Sequence, residues 1–225
     1  RIADLKNPET VARLIADAGP NGGGSTFGGL IVRGGDEAPA DLVGRTLGEI
    51  AAERGQNPAE ALIAISLAHG LDVAFLAAGR GHDSTQIIGP MLASPLMHIG
   101  AGDGGAHLAS FSTYGDTGYL FSEFVRKAGA MTLEEAVHKI TAHTAEVWGI
   151  KDRGTLKAGF AADIVVFDPD TIDRDEEVPV FDMPGDGMRY TRGSIGVDTV
   201  VVNGQVAWRD GGYSDSRSGQ ICQIN

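Results

Sequence analysis

Along residues 7–150, capped amphipathic helices alternate with short apolar runs, an alternation that restricts the chain to a fold in which helices pack on strands. Asn7-Pro8 joins a helix cap to the residue favoured at the first helical position, and Val11, Leu14, Ile15 and Ala18 follow at i, i+3, i+4, i+7 spacing before Gly19. Thr46-x-x-Glu49 and Thr132-x-x-Glu135 are capping boxes, the first leading into Leu47, Ile50 and Ala51, the second into Leu133, Val137 and Ile140. Asn57-Pro58-Ala59-Glu60 opens another helix, with Leu62, Ile65 and His69, and Leu120, Phe121, Phe124, Val125 and Ala128 form a further apolar face that stops at Gly129. Between them, residues 29–33, 72–77 and 97–101 read as strands, 87–92 as helix and 19–29 as a flexible glycine-rich loop. Strands separated by helices predict an α/β fold with a parallel sheet and helices outside it.

The pattern changes after Trp148-Gly149. Residues 162–167 are a β-rich run, 168–182 an acidic, proline-punctuated loop, and 197–202 and 205–208 flank Asn203-Gly204, a strong short hairpin signal. The expected boundary therefore lies near 150, with an α/β part over 1–150 and a small all-β part over 151–225.

The formal charge of −12 argues against nucleic acid and anionic membrane surfaces as partners, because both require basic surface. Cys222 is the one cysteine, so no disulfide framework or cysteine-based metal motif is expected. No apolar run approaches the roughly 20 residues of a membrane helix, and no secretory signal opens the sequence, which gives a cytoplasmic expectation. Numbering begins at Arg1 with a helix cap by Asn7, as expected of a fragment of a longer chain.

The chemistry points to residues 97–107, where an apolar run enters the glycine-rich turn Gly100-Ala101-Gly102-Asp103-Gly104-Gly105. In a barrel of parallel strands, side chains at the carboxyl ends face the active site. Strand alternation places Met97, Ile99, Ala101 and Asp103 on one face and turns His98 away as a structural residue. A carboxylate so placed can ligate a divalent metal and move a proton between water and a leaving amine; equally, it can cap the turn through its own backbone. His107 is either a substrate contact or a loop residue.

Gly100-x-Gly102-x-x-Gly105 formally matches a dinucleotide fingerprint, but Asp103 would repel a pyrophosphate and 106–114 is a poor helix. The sequence contains no phosphate-loop Gly-Lys-Ser/Thr, no Gly-x-Ser-x-Gly and no His-x-His.

Gly102-Asp103-Gly104-Gly105-Ala106-His107, the run from Asp152-Arg153-Gly154-Thr155-Leu156 through Ala162-Asp163-Ile164-Val165-Val166-Phe167-Asp168-Pro169, Val200-Val201-Val202-Asn203-Gly204, and Gly44-Arg45-Thr46-Leu47 together resemble the amidohydrolase superfamily, in particular its N-acyl-D-amino-acid deacylases. The resemblance extends along essentially the whole chain. It implies the C-terminal part of a (β/α)8 barrel holding one or two divalent metals, usually zinc, followed by part of a small β-sandwich.

It further implies hydrolysis of an amide in N-acyl (D-)amino acids or related small amides, with Asp103 as catalytic and metal-associated residue and the N-terminal half of the same enzyme as partner. The family's His-x-His and later histidine ligands have no counterpart in this sequence. Many D-aminoacylases carry serine where Gly102 stands, and a substrate-clamping arginine in the region that here ends at Tyr114. Arg33, at a strand end, is the alternative candidate for that carboxylate contact, alongside His107 and Tyr114 as substrate-binding residues. Action on cyclic amides, a catalytically incomplete fragment and homo-oligomeric assembly stay open.

Overall fold

The computed structural model describes residues 2–19, 23–33, 38–71, 73–77, 84–100 and 102–222. The chain divides into two compact units, 1–83 and 84–225. Glycines 34, 35, 79 and 81, with Asp72, Arg80, His82, Asp83 and Ala101, lie outside the described residues.

The first unit contains α1 (Ile2–Leu5), α2 (Pro8–Asp17), α3 (Gly24–Gly28), β1 (Leu30–Arg33), α4 (Leu47–Arg54), α5 (Pro58–Ala68) and β2 (Ala74–Ala77). The expected local signals operate here. Asn7 Oδ1 accepts the Glu9 amide at 2.9 Å to start α2, and reciprocal capping boxes join Thr46 to Glu49 and Asn57 to Glu60. Each cap satisfies amides that the first helical turn leaves open. Leu47, Ile50 and Ala51 from α4 and Ala61 and Ile65 from α5 then close on Val32, Leu42 and Val73 as one buried cluster.

Two expectations fail in this unit. Gly24–Gly28 is a helical turn rather than loop, because the Gly23 carbonyl accepts the Thr26 amide at 3.0 Å. Also, β1 and β2 pair antiparallel, Leu30 opposite Ala77 and Arg33 opposite Ala74, whereas helix alternation predicted parallel strands. The connection carries two helices instead of one: a single crossover helix returns the chain to start a parallel strand, and a second reverses it again.

The second unit begins with α6 (Thr85–Ala93), α7 (Asp116–Tyr119), a π-helix (Leu120–Lys127), α8 (Leu133–Ile140) and α9 (Ala142–Val147). The apolar face read over 120–128 is present, but wound with wider hydrogen bonds such as Ala128 N–H to Glu123 O, 2.9 Å. Its strands are β3 (Ile164–Phe167), β4 (Asp173–Arg174), β5 (Val178–Met183), β6 (Gly187–Thr191), β7 (Ser194–Ile195), β8 (Val197–Val202), β9 (Gln205–Arg209) and β10 (Gly212–Tyr213). They form an antiparallel sheet in the order β10-β9-β8-β3 and the pairs β4-β7 and β5-β6. As expected, β8 and β9 turn at Asn203-Gly204, both at positive φ (46° and 78°).

The segment 168–182, read as loop, contains β4 and most of β5, which pairs with β6 after the Pro184-Gly185 turn. The change from helix to strand near 150 lies inside this unit. Its apolar cluster draws on both sides of that position: Leu120, Phe121, Phe124, Met131 and Ala136 before it and Ile172 after it, with the Phe121 and Phe167 rings 5.2 Å apart. Buried Ser122 donates to Asp173 Oδ1 at 2.6 Å and ties the π-helix to β4.

Farther along, Asp163 accepts the Asn203 amide at 2.8 Å and pairs with Arg153, linking the segment before β3 to the β8–β9 turn. Burial pushes the Asp163 carboxyl up, but these two donors outweigh it and hold the group below the usual carboxylate range. Among the described residues no helix is long and apolar enough to cross a membrane.

Candidate active site

The turn that carries Asp103 is built from backbone. The Asp103 carbonyl accepts the Ala106 amide at 3.0 Å, Gly105 sits at φ 98°, and His107 itself adopts φ 53°. The His107 carbonyl then receives the amides of Ser110 and Phe111 at 2.7 and 3.2 Å, and its exposed ring stacks on Phe111 at 5.8 Å. Asp103 is exposed.

The approach to this turn differs from expectation. Residues 97–100 form no strand, and strand parity therefore does not govern them. A strand needs a paired edge; here the Ile99 carbonyl instead accepts the Thr144 hydroxyl at 3.1 Å. The Ile99 side chain packs against the second unit's core, while Met97 and His98 are exposed, His98 meeting Trp148 edge to face at 6.4 Å.

What fastens the turn is a set of long-range contacts to the β5–β6 hairpin and the residues flanking it. Thr113 Oγ1 donates to the Asp103 carbonyl at 2.6 Å, and the Ser112 amide donates to Glu177 Oε1 at 2.8 Å. The same carboxylate oxygen receives Arg192 Nη2 at 2.6 Å, in an ion pair whose side chains are only 10% and 16% exposed. Tyr190 N–H holds the Leu108 carbonyl at 2.8 Å. The half-buried Tyr114 donates its hydroxyl to the Tyr190 carbonyl at 3.4 Å and accepts Arg189 Nη1 at 3.2 Å, while Arg189 grips Asp182 through Nε and Nη2 at 2.7 and 2.8 Å.

The structure thus brings Asp103 and Tyr114 into one loop. A methyl group on Gly104 would sit 3.7 Å from the Tyr114 ring. Gly102 has a steric role: a Cβ there would lie 2.7 Å from Asp116 Oδ2, so serine could replace it only by displacing the Asp116 carboxylate. Arg33 ends β1 in the first unit, apart in sequence from the other three candidates, which all belong to the second. A 430 Å³ cavity of the second unit, bounded by Phe121, Val137, Ile140, Val165 and Phe167, contains none of the four.

Thr113, Glu177 and Arg192 were not readable as site residues, since 65 positions separate Ser112 from Glu177 and no local pattern links them. Chemically, the loop presents one solvated carboxylate on a glycine turn, with a second carboxylate, Asp116, directed at the same backbone. Among the described residues no three His, Cys, Asp or Glu side chains converge as a metal site. Among the described residues, the His138 and His143 rings lie 6.0 Å apart and line a shallow pocket with Glu135. A divalent metal could take one hard oxygen ligand from Asp103 and would need the others from outside the described residues.

A family profile described as "Amidohydrolase family" matches residues 34–207. D-aminoacylase of Alcaligenes xylosoxydans xylosoxydans is 29% identical over 183 residues, covering 80% of this chain and 34% of that protein. N-acyl-D-glutamate deacylase of the same organism is 44% identical over 86 residues, 38% of this chain and 16% of the relative. Among solved structures, N-acyl-D-glutamate deacylase from Bordetella bronchiseptica, complexed with zinc and a phosphonate inhibitor, aligns with a TM-score of 0.54 at 27% identity, over 92% of this chain and 39% of that one. The chain accordingly spans about a third of the length of the curated D-aminoacylase it matches.

Proposed function

Because the chain belongs to the amidohydrolase family, we propose that it forms part of a hydrolase that cleaves the amide bond of N-acyl-D-amino acids, with Asp103 as its reacting carboxylate. The observation that carries this reading is the family match across 34–207, within which Asp103 stands exposed on an open glycine turn. Both deacylase relatives named above act, by name, on D-configured substrates.

In the proposed reaction, water attacks the amide carbonyl and an Asp103 carboxylate oxygen accepts the proton it releases. The same oxygen then returns that proton to the amide nitrogen, the C–N bond breaks to give a carboxylic acid and an amine, and the acid's proton passes to the amine as carboxylate and ammonium leave. His107 and Tyr114, on the same loop, and Arg33 are the proposed substrate contacts. A guanidinium suits the carboxylate of an acylated amino acid because its fork of donors matches two oxygens at once.

The proposed enzyme also binds a divalent metal, which supplies Lewis-acid polarisation of the carbonyl when bound. Its ligands other than Asp103 would come from the remainder of the polypeptide. On this reading residues 1–150 contribute to a barrel and 151–225 to a β-sandwich, both completed by that remainder.

The reading is tested by incubating the full-length polypeptide with the N-acetyl derivatives of D- and L-methionine, glutamate and aspartate and following primary amine release. Release from D-substrates in preference to their L-counterparts is expected. An absence of release from all six would refute the proposal.

A further inference from the structure

We infer that Thr113 is a positioning residue for Asp103 and that the Glu177–Arg192 ion pair anchors it. The inference rests on the reading of Asp103 as the reacting carboxylate and adds the device that holds it in place. Among the described residues, two hydrogen bonds reach the Asp103 carbonyl, from the Ala106 amide at 3.0 Å and from Thr113 Oγ1 at 2.6 Å. The first closes the turn on itself and moves with it. The second connects the turn to a residue ten positions away, whose neighbour in the chain is fastened elsewhere.

That fastening comes from the neighbouring Ser112, whose amide donates to Glu177 Oε1 at 2.8 Å, the oxygen that also receives Arg192 Nη2 at 2.6 Å. The pair is largely removed from water, so losing one partner would strand the other's charge, and the anchor resists drift. The Leu108 carbonyl, held by Tyr190 N–H, and the Tyr114 phenol, held by Arg189, brace the same segment on either side. Residues 108–114 are thereby a rigid strap from which one hydroxyl reaches back to the Asp103 backbone.

Misplacing a reacting group by about 1 Å can cost about a hundredfold in rate. Thr113→Val keeps the side-chain shape and deletes the hydroxyl. In the full-length enzyme it should lower kcat by about 10- to 100-fold with little change in KM, and amide hydrogen exchange at 104–107 should accelerate. Thr113→Ser, which retains the hydroxyl, should restore both towards wild type. Glu177→Gln keeps an acceptor for the Ser112 amide but loses the ion pair, and should shift both readouts in the same direction.

Wild-type kcat in Thr113→Val, with Asp103→Asn inactive in the same assay, would overturn the positioning role while leaving the reading of Asp103 intact. Equal impairment of Thr113→Ser and Thr113→Val would also overturn it, because the hydroxyl would then not be the cause. An active Asp103→Asn would remove both, since nothing reacting would be there to position. Should Thr113→Val fail to melt cooperatively, Glu177→Gln decides by the same two measurements, and wild-type values for both would count against the inference.

Discussion

Replacing Asp103 by asparagine in the full-length polypeptide is expected to lower kcat by about 10²–10⁴-fold, the range general acid–base groups contribute, with thermal unfolding unchanged. The substitution is nearly isosteric, and the bonds that build the turn run through the Asp103 backbone carbonyl, to the Ala106 amide and the Thr113 hydroxyl. An amide side chain leaves both in place. It removes only the basic oxygen that, in the proposed reaction, takes a proton from water and returns it to the departing nitrogen. Because Asp103 is exposed, the change also opens no cavity and strands no buried charge. Loss of rate can then be assigned to chemistry. Steady-state kinetics beside a melting curve separates the alternatives, and a variant with near wild-type kcat would return Asp103 to the role of a turn-capping aspartate.

The second large effect is on stability. Leu47→Ala is expected to destabilise the first unit by about 2–5 kcal/mol, as removal of a fully buried leucine does when its surroundings cannot collapse. Leu47 is fully buried (0% exposed) and belongs to the cluster formed with Val32, Ile50 and Ile65, all at 1%. It also follows the Thr46 cap directly, so its position is fixed by the capping box as well as by packing. The neighbours that would have to move into the gap are themselves held, Ile50 and Ile65 on the capped helices α4 and α5 and Val32 in the β1–β2 pairing. Val43→Ala, four residues earlier at 44% exposure, should cost far less and serves as the control. Urea unfolding followed by probes in the first unit reports the difference; equal, small effects of both changes would mean that the cluster is not closed.

Features whose causes are local in the chain were legible before the fold was known. The caps at Asn7, Thr46, Asn57 and Thr132 depend on residues within three positions, and the Asn203-Gly204 hairpin on a dipeptide that tolerates positive φ. Features that depend on count or on distant partners were not. The polarity of β1 and β2 turns on two connecting helices instead of one, and residues 97–100 look like a strand yet give the Ile99 carbonyl to Thr144.

One further local signal is Pro184-Gly185, the turn that makes part of the acidic segment a strand of the β5–β6 hairpin. The candidate site divides in the same way. Asp103, His107 and Tyr114 stand out within one short stretch, whereas the role inferred for Thr113 depends on Glu177 and Arg192, which return to the neighbouring Ser112 from far along the chain.

The claim that the protein hydrolyses an acyl amide is tested most directly by running the full-length enzyme on N-acetyl-D-glutamate in water enriched in oxygen-18 and weighing the acetate released. Attack by water on the carbonyl predicts one oxygen-18 atom in each acetate, formed in step with free glutamate. Glutamate released with unlabelled acetate, or no glutamate released at all, would contradict it.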